Sequence, residues 1–226
     1  GTIDKTGQFH KSCYEGNVST NPVYLDLAQV LDMVPNVLSF QVVLSPDQQI
    51  VFAAAGPVQH TQQQLLPHVE ELYSFPISFQ ADVVVASAGG FPGDVNLIQT
   101  HKSLHHAFHA VKPGGLIVLF AECRDGVGSK TFLPNFQHSV TNEIGKALLN
   151  DFKINGQTAL SLAEKANQCR IVFVSSLSPE IVSRTGMLGA NSAEDAMRKA
   201  EKYWSSATTG YVFPQANIYV PRLTRD

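Results

Sequence analysis

The 226-residue chain has 44% hydrophobic residues and a formal net charge of −3, which excludes a disordered or strongly charged polypeptide and allows one large domain or one domain with an appendage. With 16 Lys+Arg against 19 Asp+Glu there is no basic excess for a phosphate backbone, so nucleic acid is not an expected partner. No apolar run approaches the ~18 residues of a membrane span, and the start of the chain has no signal-peptide pattern; no membrane partner is expected, and the expected compartment is the cytoplasm.

Residues 1–20 are polar, glycine-containing and without periodicity, and read as an arm or interdomain linker. Asn21-Pro22 is a helix-start signal, a capping side chain ahead of a proline at the first helical position, and predicts a helix over 22–34. Strand-like runs at 37–44 and 50–55 flank the turn-rich Ser45-Pro46-Asp47-Gln48-Gln49, which predicts an antiparallel hairpin. Val58–Tyr73 has helical spacing, with Pro67 as a kink or early break.

Asp82-Val83-Val84-Val85-Ala86-Ser87 reads as a buried strand that ends in the glycine-rich turn Gly89-Gly90-Phe91-Pro92-Gly93. A helix is expected at 95–111, then a second buried strand at 116–121, a parallel strand-helix-strand unit with a right-handed crossover. The loop at 122–130 leaves that second strand and should lie beside Gly89-Gly90. Further helices are expected at 140–152, 157–168, Pro179–Arg184 and 192–205, with strands at 170–175, 211–213 and 217–220. The fold class is therefore α/β, a Rossmann-like layered domain with a mostly parallel sheet, preceded by an N-terminal helix and hairpin.

In open α/β sheets, ligands collect at the carboxyl ends of the strands, where this chain places its glycine turn. Gln99 and Lys102 follow on one helical turn, an amide and an ammonium able to grip a small carboxylate. Arg124 and Asp125 sit in the neighbouring loop as solvated or self-paired ions, or with Arg124 as a bidentate carboxylate contact. The turn lacks the spacing of a dinucleotide fingerprint or a phosphate loop. His101, His105 and His109 recur at helical spacing, as a metal-binding stripe would. They border an apolar face and have no carboxylate or cysteine among them to complete a shell, so the stripe is read as a helix boundary or partner-facing surface and no metal is assigned. Cys13, Cys123 and Cys169 are scattered and read as reduced thiols.

Taken together, Ala88 to Lys102, Lys112-Pro113-Gly114-Gly115, and Ala121 to Ser129 resemble the C-terminal domain of the nickel-dependent lactate racemase family, in order and spacing. The resemblance implies a domain spanning 21–226 within a two-domain enzyme that racemises or epimerises 2-hydroxy acids by hydride removal and return at the carbinol carbon. It implies a nickel pincer nucleotide carried by an N-terminal domain absent from this chain, none bound by this chain alone, and no activity from the isolated chain. It places Gln99 and Lys102 on the substrate, with Gly89, Gly90, Arg124 and Asp125 as cleft-loop candidates. Some family members carry an aromatic residue or a histidine near the position of Gln157, which leaves the choice of 2-hydroxy acid open. The Lys-Pro-Gly-Gly segment is also similar to a late segment of S-adenosylmethionine methyltransferases, but the glycine-rich strand-loop that would bind that cofactor is missing. The alternative from a different class is a non-catalytic α/β module that binds a small anion or a partner domain.

Overall fold

A computed structural model describes residues 2–34, 36–137 and 141–224. The chain forms two compact units, Gly1–Ser74 and Phe75–Asp226.

In the first unit, helix α1 (Pro22–Asp32) begins where expected, because the Asn21 side chain accepts the Val23 amide and Pro22 occupies the first turn. Strands β1 (Leu38–Leu44) and β2 (Ile50–Pro57) form the antiparallel hairpin. Its turn is closed by the Ser45 and Gln49 backbone pair at 2.8 Å, with Gln48 at a positive φ of 65°. Helix α2 (Val58–Tyr73) continues through Pro67 without a break. It lies on the hairpin through a small core of Val43, Ala54 and Leu65. Thr61, fully buried, adds a polar tie to Ser39 at 2.6 Å and to Gln41 at 3.1 Å.

The second unit contains β3 (Ser74–Ile77), β4 (Ala81–Ser87), α3 (Leu97–His109), β5 (Val111–Phe120), α4 (Thr141–Asn150) and α5 (Gly156–Gln168). It continues with β6 (Arg170–Val174), α6 (Pro179–Arg184), β7 (Leu188–Ala190), α7 (Ala193–Glu201), β8 (Gly210–Phe213) and β9 (Val220–Leu223). A five-stranded sheet runs in the order β7-β6-β5-β4-β8, every neighbouring pair parallel, and β3 pairs separately with β9. The expected α/β class with a parallel sheet is the observed fold.

Both faces of the sheet are covered. Val84, Ala86, Ile117, Leu119, Ile171 and Phe173 pack towards α3 and α5, while Val83, Leu116, Val118 and Val172 pack towards α7. This two-sided burial is why β4 and β5 read as continuous apolar runs rather than alternating ones. Each side chain fully buried in such a core contributes about 1.5–3 kcal/mol.

Some expected boundaries are corrected. Helix α3 ends at His109 with Ala110 as its cap, and Val111 already belongs to β5. Lys112-Pro113-Gly114-Gly115, expected as a linker, is an irregularity inside the strand: Ala81 pairs with Val111, but Val83 pairs with Leu116. Gly115 is needed there, since a Cβ would meet the Asp82 carbonyl at 2.8 Å. The last strand lies at Val220–Leu223 rather than 217–220, and α7 stops at Glu201. Val140, the expected start of a helix, lies outside the described residues, as does Gly1 of the expected arm.

The topology reverses at β4. The chain moves outward through β5, β6 and β7, then returns to place β8 on the other side of β4. Asp82 secures the amino end of that junction, its carboxylate accepting the Thr209 amide at 2.9 Å, the Thr209 hydroxyl at 2.7 Å and Lys112 Nζ at 3.0 Å. These bonds, those from Thr209 foremost, hold the Asp82 carboxyl well below the usual carboxylate range. The carboxyl end of β4, at the same reversal, is the crevice where an open α/β sheet binds ligands.

Candidate functional site

The edge is made of two loops joined to each other. From β4 the chain passes through Ala88-Gly89-Gly90, a cis Phe91-Pro92 peptide and Gly93 to Asp94. Gly89 has φ +77°, and a Cβ there would stand 2.5 Å from Asn217 Oδ1, so both the backbone conformation and the close approach of residue 217 require glycine. Asp94 is buried and joins the loops: its Oδ2 accepts the Glu122 amide at 3.0 Å and its carbonyl accepts the Cys123 amide at 2.9 Å. Next to it, the Asp125 amide donates to Val95 O at 2.9 Å. The loop after β5 therefore lies beside the Gly89-Gly90 loop, as its strand order requires.

Helix α3 begins under this junction with its amides already engaged. Leu97 N–H donates to Gly126 O at 3.1 Å and Ile98 N–H to Val127 O at 3.3 Å, both from the second loop. Gln99 N–H donates to the cap, Asn96 Oδ1, at 3.0 Å. A helix start ordinarily offers free N–H groups to an anion; here the second loop and the cap take them. A grip on a carboxylate at the start of α3 therefore does not come from these three amides.

Two polar side chains lie together on this helix. Lys102 Nζ donates to Gln99 Oε1 at 2.9 Å on the exposed side of α3. The bond orients the amide so that its Nε2 protons and the remaining ammonium protons are donors on one side of the helix, a combination suited to a carboxylate. In the second loop, the guanidinium carbon of Arg124 lies over Phe91, 4.1 Å from the ring centroid, and its Nε is 4.0 Å from Asp125 Oδ1. Gly89, Gly90, Arg124 and Asp125 are all exposed at the edge. Sequence reasoning missed Asp94, Asn96 and Phe91, the residues that fix the loops. Only the Asn96 cap has a local signal, a side chain of capping type just before the helix.

The neighbouring thiol is shielded from the edge. Cys123 is buried beneath the loop, within 3.4 Å of the Thr100 hydroxyl, and burial pushes its pKa up to about 11. Cys169 is similarly buried, its thiol raised to about 12.

The histidine stripe of α3 is anchored inwards at His101, and the adjacent His106 is anchored as well. His101 Nε2 is 3.1 Å from Ser161 Oγ of α5, and that hydroxyl also accepts from the buried Lys165 at 2.6 Å. His106 Nδ1 is 2.6 Å from the Ala216 carbonyl. Desolvation first, then the Lys165 charge and the neighbouring His105 and His106, hold His101 well below the ordinary imidazole value. A histidine kept neutral in the fold takes up its proton only on unfolding, so its contribution to stability is full above the unfolded value of about 6.5 and is lost as pH falls below it. Thermal melts at pH 7.5 and 5.5 are expected to show a lower Tm at the acid end, with His101→Gln reducing that difference.

Residues 77–216 match the family model described as the lactate racemase C-terminal domain. The lactate racemase of Lactiplantibacillus plantarum is 27% identical over 209 residues, covering 88% of this chain and 48% of that protein. The lactate racemase of Thermoanaerobacterium thermosaccharolyticum is 31% identical over 134 residues, covering 58% of this chain and 31% of that protein. The structure of the latter organism's lactate racemase apoprotein aligns with a TM-score of 0.85 at 25% identity, over 94% of this chain and 52% of the other. A Thermotoga maritima protein shares the fold alone, with a TM-score of 0.62 at 10% identity over 90% of this chain and 54% of the other. The chain spans about half the length of the Lactiplantibacillus plantarum racemase and less of the other curated relative. By the match over 77–216, the chain belongs to the lactate racemase C-terminal domain family.

Proposed function

We propose that this chain is the substrate-clamping half of a cytoplasmic 2-hydroxy-acid racemase or epimerase. The observation that carries the reading is the Lys102 to Gln99 bond of 2.9 Å on a helix whose first-turn amides are already occupied. An amide and an ammonium held together bind a carboxylate and leave the adjacent carbinol carbon free to change geometry. Inversion by hydride removal and return requires that separation, because the carboxylate must stay anchored while the carbon flattens. Arg124 and Asp125 form the rim beside Gly89 and Gly90, where they shape the approach to the clamp.

Within the family the chemistry is supplied by a nickel pincer nucleotide. The described residues of this edge do not suit such a metal. Lys102 and Arg124 are cations, the Cys123 thiol is buried and protonated, and His101 is committed to Ser161. We therefore assign the cofactor to the N-terminal domain, and to this chain the orientation of the substrate and the exclusion of water from above it. No described helix is long and apolar enough to cross a membrane, in keeping with the proposed compartment.

The test is isothermal titration of a panel of 2-hydroxy acids, first into this chain and then into the holoenzyme formed with its N-terminal half and cofactor. Weak binding to the chain and tight binding with turnover in the holoenzyme is the expected result. Equally tight binding to the chain alone, without turnover in either form, would replace the enzyme reading with that of an anion-binding module.

A further inference from the structure

The first unit has an apolar surface that its own elements leave open. On the hairpin, Ser39, Gln41 and Val43 face α2, through the Thr61 hydrogen bonds and the small core with Leu65. Alternate residues therefore face the other way. On that face Leu38 pairs with Pro57, Phe40 with Ala55 and Val42 with Ala53, an unbroken run of apolar cross-strand pairs. Leu38 is 76% exposed and Phe40 74%, and Ala53, Ala55 and Pro57 are exposed beside them. Helix α1 has no buried residue; its Leu27 is 62% exposed, and Met33, which caps it, is 80% exposed.

A solvated strand face is ordinarily polar, whereas this outward face is apolar in each of those three cross-strand pairs, as a covered face is. A two-stranded hairpin on one helix is also marginal by itself. Among the described residues its buried apolar core is Val43, Ala54 and Leu65, with Phe52, Leu72 and Tyr73 packed against it, a small core for such a unit.

The comparisons indicate what covers it. The family model for the C-terminal domain begins at residue 77, which leaves the first unit outside it. The lactate racemase apoprotein nevertheless aligns with 94% of this chain, so it has a counterpart of the first unit, and nearly half of its length lies outside the alignment. We infer that the outer face of the β1–β2 hairpin is the docking surface for the N-terminal portion of a lactate-racemase-type polypeptide, which packs on Leu38, Phe40 and Val42 and completes a domain to which the first unit belongs. This rests on the half-enzyme reading above and adds where the missing half attaches.

The experiment replaces Phe40 with the photo-crosslinking residue p-benzoylphenylalanine in the 226-residue chain, co-expressed with the N-terminal portion of the Lactiplantibacillus plantarum lactate racemase that this chain does not match. The same residue at Gln63, on α2, is the control. Irradiation is expected to join the two polypeptides from position 40 and not from position 63. In the same co-expression, Leu38→Lys with Phe40→Lys should lower co-purification at least tenfold and leave the Tm of the chain alone within a few degrees, because both side chains are exposed there. Crosslinking of the chain to a second copy of itself overturns the inference in favour of a homodimer. Co-purification with turnover but without a crosslink from position 40 overturns the docking face while the proposed function stands, and failure of the two polypeptides to co-purify overturns the docking face. A crosslink from position 40 with Lys102→Ala inert on turnover upholds the docking face and removes the substrate clamp.

Discussion

Lys102→Ala in the holoenzyme is expected to lower kcat/KM for a 2-hydroxy acid by about a hundredfold to a thousandfold, the loss typical when one charge-stabilising donor leaves a closed site. The expectation follows from what else is present. The amides of Leu97, Ile98 and Gln99 are engaged by Gly126, Val127 and Asn96, so no backbone donor at the helix start can replace the ammonium. Gln99 would retain its amide but lose the partner that orients it. Lys102→Arg should recover only part of the activity, because a planar fork does not reproduce a compact ammonium that bonds the Gln99 carbonyl and a carboxylate together. Steady-state kinetics check both variants, and turnover unchanged in Lys102→Ala would remove the clamp from the mechanism.

Asp94→Ala is expected to be the most damaging substitution at the edge that touches no substrate. Its carboxylate is the acceptor for the Glu122 amide, and the residue is buried. Loss of a hydrogen bond to a charged acceptor costs about 1.5–3 kcal/mol, and the donor left behind is unsatisfied. Chemical denaturation should show a drop of that size. Asp94→Asn, which keeps one acceptor oxygen, should lose less. The activity of Asp94→Ala should fall as well, since the same residue carries the Gly89-Gly90 loop and the start of α3 on the loop after β5. An activity loss with an unchanged denaturation midpoint would mean that Asp94 is not a strut but meets the substrate.

Much of this architecture was legible because the relevant forces are local. The apolar run at Val83-Val84-Val85 marks a strand buried on both faces, and Asn21-Pro22, Ser178-Pro179 and Ser192 cap helices through their own side chains. The failures have a different origin. Pro113 and Gly114 read as breakers, yet β5 accommodates them as an irregularity beside Asp82 because the neighbouring strand supplies the register. Strands β3 and β7 are short, with little periodicity, and exist by pairing with β9 and β6. At the site, the adjacency of Gln99 and Lys102 follows from helical spacing alone. That α3 has no amide left for an anion depends on carbonyls from Gly126 and Val127, which only the folded sheet brings into reach.

The segment after β8 gives the Gly89 loop its last support. Ala88 bridges Gln215, the Ala216 amide donates to Ser87 O at 2.9 Å, and the Ala216 carbonyl meets His106. These contacts join residues 87–106 to residues 215–216, so the loop can settle only after the chain through residue 216 has been made. Local helices and the β4–β5 pairing have by then had time to form. The loop thus depends on contacts with residues far from it in the sequence. A single protease cut in the exposed turn around Ser205 and Ser206 would free β8 and residues 215–217 from their covalent anchor. The sheet from β4 to β7 would keep its pairing, while the Gly89 loop lost the support of residues 215–217.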